Sequence, residues 1–333
     1  MNPTPSDVHV NRPLTNISVA YIQDQTRFVT SKIFPNIPVQ KKSDQITTWS
    51  KDDWNRDEMR ERAPATESAG GGYRPSTPDS YLAIVYAFHK DVDDQTRSNA
   101  DQNTLDEEAT RFVTMKGLLR RERLWINKFF KTGVWGTNYT GVASAPTTGQ
   151  TLQWNDAASD PVMVMRRLRT NVGEATGGFE PNTLVLGRRA WDALYDHPDI
   201  IDRIKYGGTP GAPAIVARQA IAALLEIDNI YVLNAVENTA AEGLTGSHSF
   251  MAGNHALFCH VAPNPGLMTP SAGYTFSWNG YLGAAEDGQR ISQFRMENIR
   301  SDRVEIEMAF DQKLVGADLG VFIQNVVATP TAL

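Results

Sequence analysis

The chain has 333 residues, 41% of them hydrophobic and 21% charged, an ordinary composition for one large globular domain or two to three smaller ones. Its formal net charge of −6 argues against a surface built to grip nucleic acid, which needs a basic excess. A single cysteine, Cys259, excludes an intramolecular disulfide and fits a reducing cytosol; no run reaches the ~18 apolar residues of a membrane span, and the polar start of the chain is expected to carry no signal peptide.

The first forty residues read as an arm. Asn16 to Thr30 is expected to form a short helix, followed by Ile33-Phe34-Pro35-Asn36-Ile37-Pro38-Val39, where the prolines forbid helix and favour an extended path. An extended apolar segment with no sheet of its own must lie on something else, and a neighbouring subunit is the expected support. Between Ser43 and Asp94, Ile46-Thr47-Thr48-Trp49 and Ser80 to Phe88 read as two strands. A charged run, Lys51 to Arg62, and Gly70-Gly71-Gly72 flanked by Pro64, Pro75 and Pro78 separate them. Loops beyond about 15 residues are uncommon inside a compact domain, and an isolated ribbon is marginal in water, so an intersubunit arm is favoured over a surface loop.

The best-signalled helix comes next. Thr104-Leu105-Asp106-Glu107 has the form of a capping box. Acidic residues fill the first turn, and Arg120, Arg121, Arg123, Lys128 and Lys131 crowd the second half, matching the helix dipole. Leu105, Ala109, Phe112, Met115, Leu119, Ile126 and Phe129 form the expected apolar face, and Gly133 the stop. At 1.5 Å per residue this helix would be about 42 Å long.

After a Gly/Thr-rich loop (136–149), helices and strands alternate. Asp160–Val172 reads as a helix with Met163, Val164, Leu168 and Val172 inward. Thr183–Leu186 is a strand, Arg188–Tyr195 a helix, His197-Pro198-Asp199 a cap for a helix through Ile204, and Ile215–Leu225 a further helix. Asn229–Leu233 and His255–Val261 are strands. This order builds a mixed sheet flanked by helices. Val304, Ile306, Met308 and Phe310 then alternate with Arg303, Glu305, Glu307 and Ala309 as a half-exposed strand. Lys313–Gly316 turns the chain, and Leu319–Val327 is expected to return as that strand's partner.

No dinucleotide fingerprint, Walker loop, nucleophile elbow or zinc-protease motif occurs in the chain. His255, Cys259 and His260 are the one near-cluster; on a strand His255 and Cys259 share a face and His260 opposes them, so no metal site is expected. The apolar neighbours of Cys259 suggest an inert buried thiol. Asp52-Asp53 and Asp93-Asp94 read as solvated charge. No catalytic, cofactor or metal residue is assigned, and the expectation is a structural protein, not an enzyme.

The order of these parts resembles the tailed-bacteriophage major capsid proteins of the Hong Kong 97-like fold, over nearly the whole chain. Phe34-Pro35-Asn36-Ile37-Pro38-Val39, the helix within Asp101–Trp135, and Asn182–Gly187 with Arg188–Tyr195 and His197-Pro198-Asp199 carry the resemblance. It implies an α+β fold with an N-arm (1–40), an extended β-hairpin loop (41–94), a peripheral domain holding the spine helix (95–158), an α/β axial domain (159–265) and peripheral return strands (266–333). Axial domains would gather at five-fold and six-fold positions, and each extended loop would lie over a neighbour's spine helix. Phe34, Trp49, Trp54, Arg56, Arg60, Arg62, Tyr73 and Arg74 are the expected subunit contacts, since aromatics and Arg dominate interface energetics. The implied partners are further copies of the chain as pentamers and hexamers, a separate scaffolding protein (no ~100-residue scaffolding segment precedes the arm), a portal, a decoration protein, and packaged double-stranded DNA without sequence-specific contacts. No membrane partner is expected; the place is the phage head, assembled in the host cytoplasm. Lys41, Lys42, Lys51, Asn298 and Asn325 are available for covalent cross-linking, but no motif singles them out, and non-covalent stabilisation is expected. Three other readings are open: an encapsulin-like nanocompartment, a small-molecule enzyme built on the α/β segment, and a tail or adaptor protein, which would not need both the long helix and the α/β domain. The enzyme reading is weakened because Gly187 leads directly into Arg188-Arg189, leaving no phosphate-binding turn.

Overall fold

The structure, a computed structural model, describes residues 23–100, 104–207, 218–266, 268–282 and 288–328. A 3-10 turn at Gln25–Arg27 is capped by the Asp24 carboxylate. In chain order follow α1 (Thr30–Ile33), β1 (Asn36–Val39), β2 (Ser43–Trp49), α2 (Lys51–Trp54), β3 (Pro75–Leu82), β4 (Ile84–Asp93), α3 (Asp94–Ser98) and α4 (Leu105–Phe129). Next come β5 (Thr137–Val142), β6 (Gln150–Leu152), α5 (Pro161–Thr176), β7 (Thr183–Gly187), α6 (Arg188–Tyr195), α7 (Pro198–Gly207), α8 (Arg218–Leu225), β8 (Asn229–Leu233), β9 (Val236–Asn238), β10 (His248–Phe250) and β11 (Ala256–Cys259). The chain closes with β12 (Gly273–Trp278), α9 (Asn279–Leu282), β13 (Gln289–Met296), β14 (Ser301–Leu314) and β15 (Gly320–Gln324).

Two large sheets organise the molecule. The first runs β6-β5-β15-β11-β7-β8. Its side chains alternate between two cores, as the two-residue period of a strand requires. Leu184, Leu186, Phe258, Val321 and Ile323 pack against α5, α6 and α8. Val185, Leu257, Cys259 and Phe322 pack on the opposite face against Trp125, Ile126, Phe129 and Phe130 of the α4 end. Burial on both faces explains why these strands read as unbroken apolar runs. The second sheet runs β1-β12-β14-β13, with β4 also paired to β14. Val304, Ile306, Met308 and Phe310 of β14 pack under Ala109 and Val113 of α4. The 25-residue α4, about 38 Å long, therefore lies with one half on each sheet.

Gly117 shows how closely α4 lies on β14: a Cβ there would stand 2.9 Å from Ile306 Cδ1. The buried residues of α4 include Ala109, Val113, Gly117, Trp125, Ile126 and Phe129. That stripe runs through Val113 and Gly117, not through the expected Phe112, Met115 and Leu119, and Phe112 is 44% exposed. The capping box does not form; the Thr104 hydroxyl donates to the Glu108 side chain (3.1 Å) and makes no bond to the helix backbone.

Other expectations are corrected by long-range pairing. The Asn36–Val39 segment has its own support, because β1 pairs in parallel with β12 of the same chain. The single strand expected at Ser80–Phe88 is two, broken at buried Ala83: β3 pairs with β2, and β4 with β14. The returning strand β15 does not pair with β14; it crosses to the other sheet, between β11 and β5. The Gly/Thr-rich loop contributes β5 to that same sheet, where it lies parallel to β15. In α5, Met163 faces out at 44% exposure while Val162 and Met165 face in. The helix expected over Asn16–Thr30 lies mostly outside the described residues; within them α1 begins at Thr30. The helix expected from Ile215 is described from Arg218. His197 does cap α7: its Nδ1 accepts from the Asp199 N–H (3.2 Å), which leaves Nε2–H to donate to Ser159 Oγ (3.0 Å).

Candidate intersubunit surface

The ribbon is anchored at its base and open at its tip. Tyr81 stacks on Phe276 at 4.7 Å, the Ala83 N–H donates to Lys42 O (2.8 Å), and the Leu82 N–H donates to Asp311 Oδ2 (3.0 Å). A register shift between Ile46 and Thr48 bends β2 against β3, as a bulge does. Beyond α2, residues 55–74 form no helix or strand, and nearly all are exposed.

Of the eight residues expected at a subunit contact, six sit in this open segment or at its rim. Trp54 packs on Tyr73 with ring centroids 5.3 Å apart, yet the two remain 54% and 58% exposed. Arg56 reaches Glu58 (3.2 Å) and Asp53 (4.0 Å). Asp53 in turn accepts from the Arg74 backbone N–H (3.3 Å). Arg62 donates to Thr66 O (2.5 Å), and Arg60 is exposed. Trp49 is half-buried at the end of the strand pair nearest the open tip, opposite Pro75. Phe34 is a correction: it is fully buried within the chain's own core, edge-on to Trp125 at 5.6 Å and beside Phe129 at 4.8 Å. It offers no surface to a neighbour.

A second apolar patch went unread in the sequence. Phe88 of β4 lies 5.8 Å from Phe112 of α4, and the two are 40% and 44% exposed. Lys116 Nζ sits 5.2 Å above the Phe112 ring. The helical spacing of Phe112 matched the core stripe, so only the observed rotation of α4 reveals it as surface. At one end of this sheet an ion-pair network ties four elements together. Arg97 bridges Asp106 (2.8 Å) and Asp302 (3.1 Å), and Arg295 bridges Asp94 (2.6 Å) and Asp302 (3.3 Å). Hydrogen bonds from these guanidinium groups hold the Asp94 and Asp106 carboxyls below the usual range.

The α/β side shows packing roles for its titratable groups. Burial pushes the Cys259 thiol up to about 12, so it is neither nucleophile nor ready ligand. His255 Nδ1 accepts from the Asn325 N–H (3.0 Å), and its ring packs on Phe130 and Phe322. His260 Nδ1 donates to Glu180 O (2.7 Å). Among the described residues no three His, Cys, Asp or Glu side chains are grouped to hold a metal ion, and no helix is long and apolar enough to cross a membrane.

Comparison with known proteins adds full-length correspondences. The family described as Phage major capsid protein E matches residues 141–273. A major capsid protein of Pseudomonas phage JBD67 is 26% identical over 96% of this chain and 97% of its own length. One from Burkholderia phage BcepMu is 24% identical over 95% and 96%. The crystal structure of a phage-related protein from Bordetella bronchiseptica RB50 superposes with a TM-score of 0.67 at 22% identity, covering 91% of this chain and 94% of that one. A cyanophage capsid and an encapsulin shell share the fold at lower identity.

Proposed function

We infer that this chain is a tailed-phage major capsid protein of the Hong Kong 97-like fold, whose copies associate into the icosahedral shell of the virion head. The observation that carries this is the joint match: the fold agrees with solved phage capsids along the chain, and two curated phage major capsid proteins align over at least 95% of it. An encapsulin-like compartment uses the same fold, but both of these sequence relatives are phage proteins. The shell role requires no catalytic step.

The finer assignments are proposals. The ribbon (41–94) lies on a neighbouring copy, with Trp54 and Tyr73 seated on that copy's Phe88–Phe112 patch. Aromatic surface already half-exposed on both sides favours such a contact. Acidic Asp57, Glu58 and Glu61 of the ribbon oppose Arg111, Lys116 and Arg120 of the helix, which sets register more than affinity. The six-stranded sheet with its helices serves as the axial domain at five-fold and six-fold positions. The β14 sheet and α4 serve as the peripheral domain, so β5, β6 and β15 join the axial part despite their place in the sequence. A separate scaffolding protein, a portal and a decoration protein complete the particle, and the packaged DNA is held without sequence-specific contacts.

The test is negative-stain microscopy of the protein expressed alone and with its neighbouring phage genes. Closed icosahedral shells, tubes or capsomer rings are expected. A uniformly monomeric protein under both conditions would overturn the reading.

A further inference from the structure

Glu122 is a carboxyl group in the wrong place for solubility or for ordinary packing. It lies mid-helix in α4, only 1% exposed, and α4 turns it toward the arm, where among the described residues it meets no cation of the arm. The carboxylate accepts from the Thr30 N–H (3.2 Å), the Thr30 hydroxyl (2.8 Å) and the Val29 N–H (3.4 Å). Those are the orphan donors that start α1, and α1 has no side-chain cap of its own. Seven residues upstream, Gln23 makes the arm's second grip. Its side-chain amide donates to Val236 O (2.6 Å) and accepts from the Val236 N–H (2.9 Å), pairing with β9 as a strand residue would. Next to Glu122 on α4, Arg123 is paired with Glu237 of the same β9. Between the two grips, Phe28 and Val29 are buried, as are Ile33 and Phe34 just beyond.

We propose that residues 23–34 form a clasp joining the β9–β10 hairpin to the spine helix, and that the proton on Glu122 sets how firmly the clasp closes.

Burial raises the Glu122 carboxyl from 4.5 to about 6; the Thr30 and Val29 hydrogen bonds and nearby Arg121 pull it back only in part. The charged groups around it are otherwise engaged or turned away. Arg123 is held by Glu237 and Lys128 by Asp311, while Arg27 and Lys32 of the arm are exposed to solvent. Opening the clasp returns the carboxyl to water and to its ordinary value. Since the closed form has the higher pKa, closure takes up a proton. The hold is complete below about pH 4.5 and is lost as pH rises through about 6. The whole span corresponds to roughly 30-fold in the closing equilibrium, of which about eight-fold falls between pH 5 and pH 8.

Amide hydrogen exchange on the full-length chain reads this directly. In the unaltered protein, protection of the 28–34 amides, corrected for intrinsic exchange rates, is expected to fall about eight-fold from pH 5 to pH 8. Glu122→Gln, which cannot ionise, is expected to show the same protection at both values. Glu122→Ala is expected to lose protection throughout. A flat profile in the unaltered chain overturns the proposal, as does a pH dependence that survives in Glu122→Gln or full protection in Glu122→Ala. Should a variant not fold, the profile of the unaltered chain alone decides.

Discussion

Phe34 and Phe112 are both aromatic and each has an apolar neighbour in sequence, yet one is sealed in the core and the other half-exposed. What separates them is packing across the chain. Phe34 meets Trp125 and Phe129, and Gly273 leaves room for it: a Cβ at Gly273 would stand 2.4 Å from the Phe34 ring. Phe34→Ala is therefore expected to cost the folded subunit about 3–5 kcal/mol, read by chemical denaturation, and not to act by weakening a subunit contact. Cys259 was legible from its neighbours alone, because a run of apolar residues on a strand leaves little doubt about burial. Glu122 was not legible: its sequence context, Arg120-Arg121-Glu122-Arg123, is that of an exposed ion-pairing turn.

At the scale of elements, α4 and the ribbon show two kinds of signal. The existence of α4 follows from its charge order and length, but its rotation was set by which residues could lie against β14. Val113 and Gly117 fit that surface and Phe112 does not. The ribbon was legible as two strands around a charged, glycine-rich middle, but its second strand is Pro75–Leu82, and most of the expected Ser80–Phe88 strand pairs with β14 instead. Its tip supplies a sharp prediction. Trp54→Ala with Tyr73→Ala should leave the melting temperature of the subunit nearly unchanged, because both side chains are already more than half exposed. The same pair should lower the yield of shells in sedimentation at least tenfold, about the effect of losing 1.4 kcal/mol at each contact. Phe112→Ala should give the same phenotype from the receiving side. Normal assembly by both variants would remove the proposed docking pair.

At the scale of the molecule, one long helix spans two sheets, and the chain crosses between them several times. β4 and β14 join the ribbon to one sheet, while β15 carries the chain end into the other. The ribbon tip leaves Trp54 and Tyr73 more than half exposed, surface that the proposed contact with a further copy would cover. A net charge of −6 is compatible with the proposed shell, whose wall would not adhere to packaged DNA. Candidate cross-linking groups are engaged or unremarkable; Lys51 Nζ pairs with Asp318 at 2.8 Å. Particles boiled in denaturant are expected to run as a single band at 36.8 kDa on a denaturing gel. A ladder of higher bands would show covalent joining.

The sequence by itself determined the elements whose signals are local: the charge-ordered spine helix, the apolar strands Thr183–Gly187 and Asn229–Leu233, the helices α6 and α7 between them, and the open ribbon tip. Together their order was enough to indicate the fold. Tertiary structure alone decided which strand pairs with which, as when β15 passes by its sequence neighbour β14 to lie between β11 and β5. It also decided which face of α4 is buried, and that Phe34 belongs to the core and Glu122 to the arm. The reason is physical. Propensity, capping charge and hydrophobic period are properties of a few adjacent residues. Strand partnership and helix rotation are chosen by contacts between segments far apart in the chain, whose apolar patterns admit more than one partner until the whole core is packed.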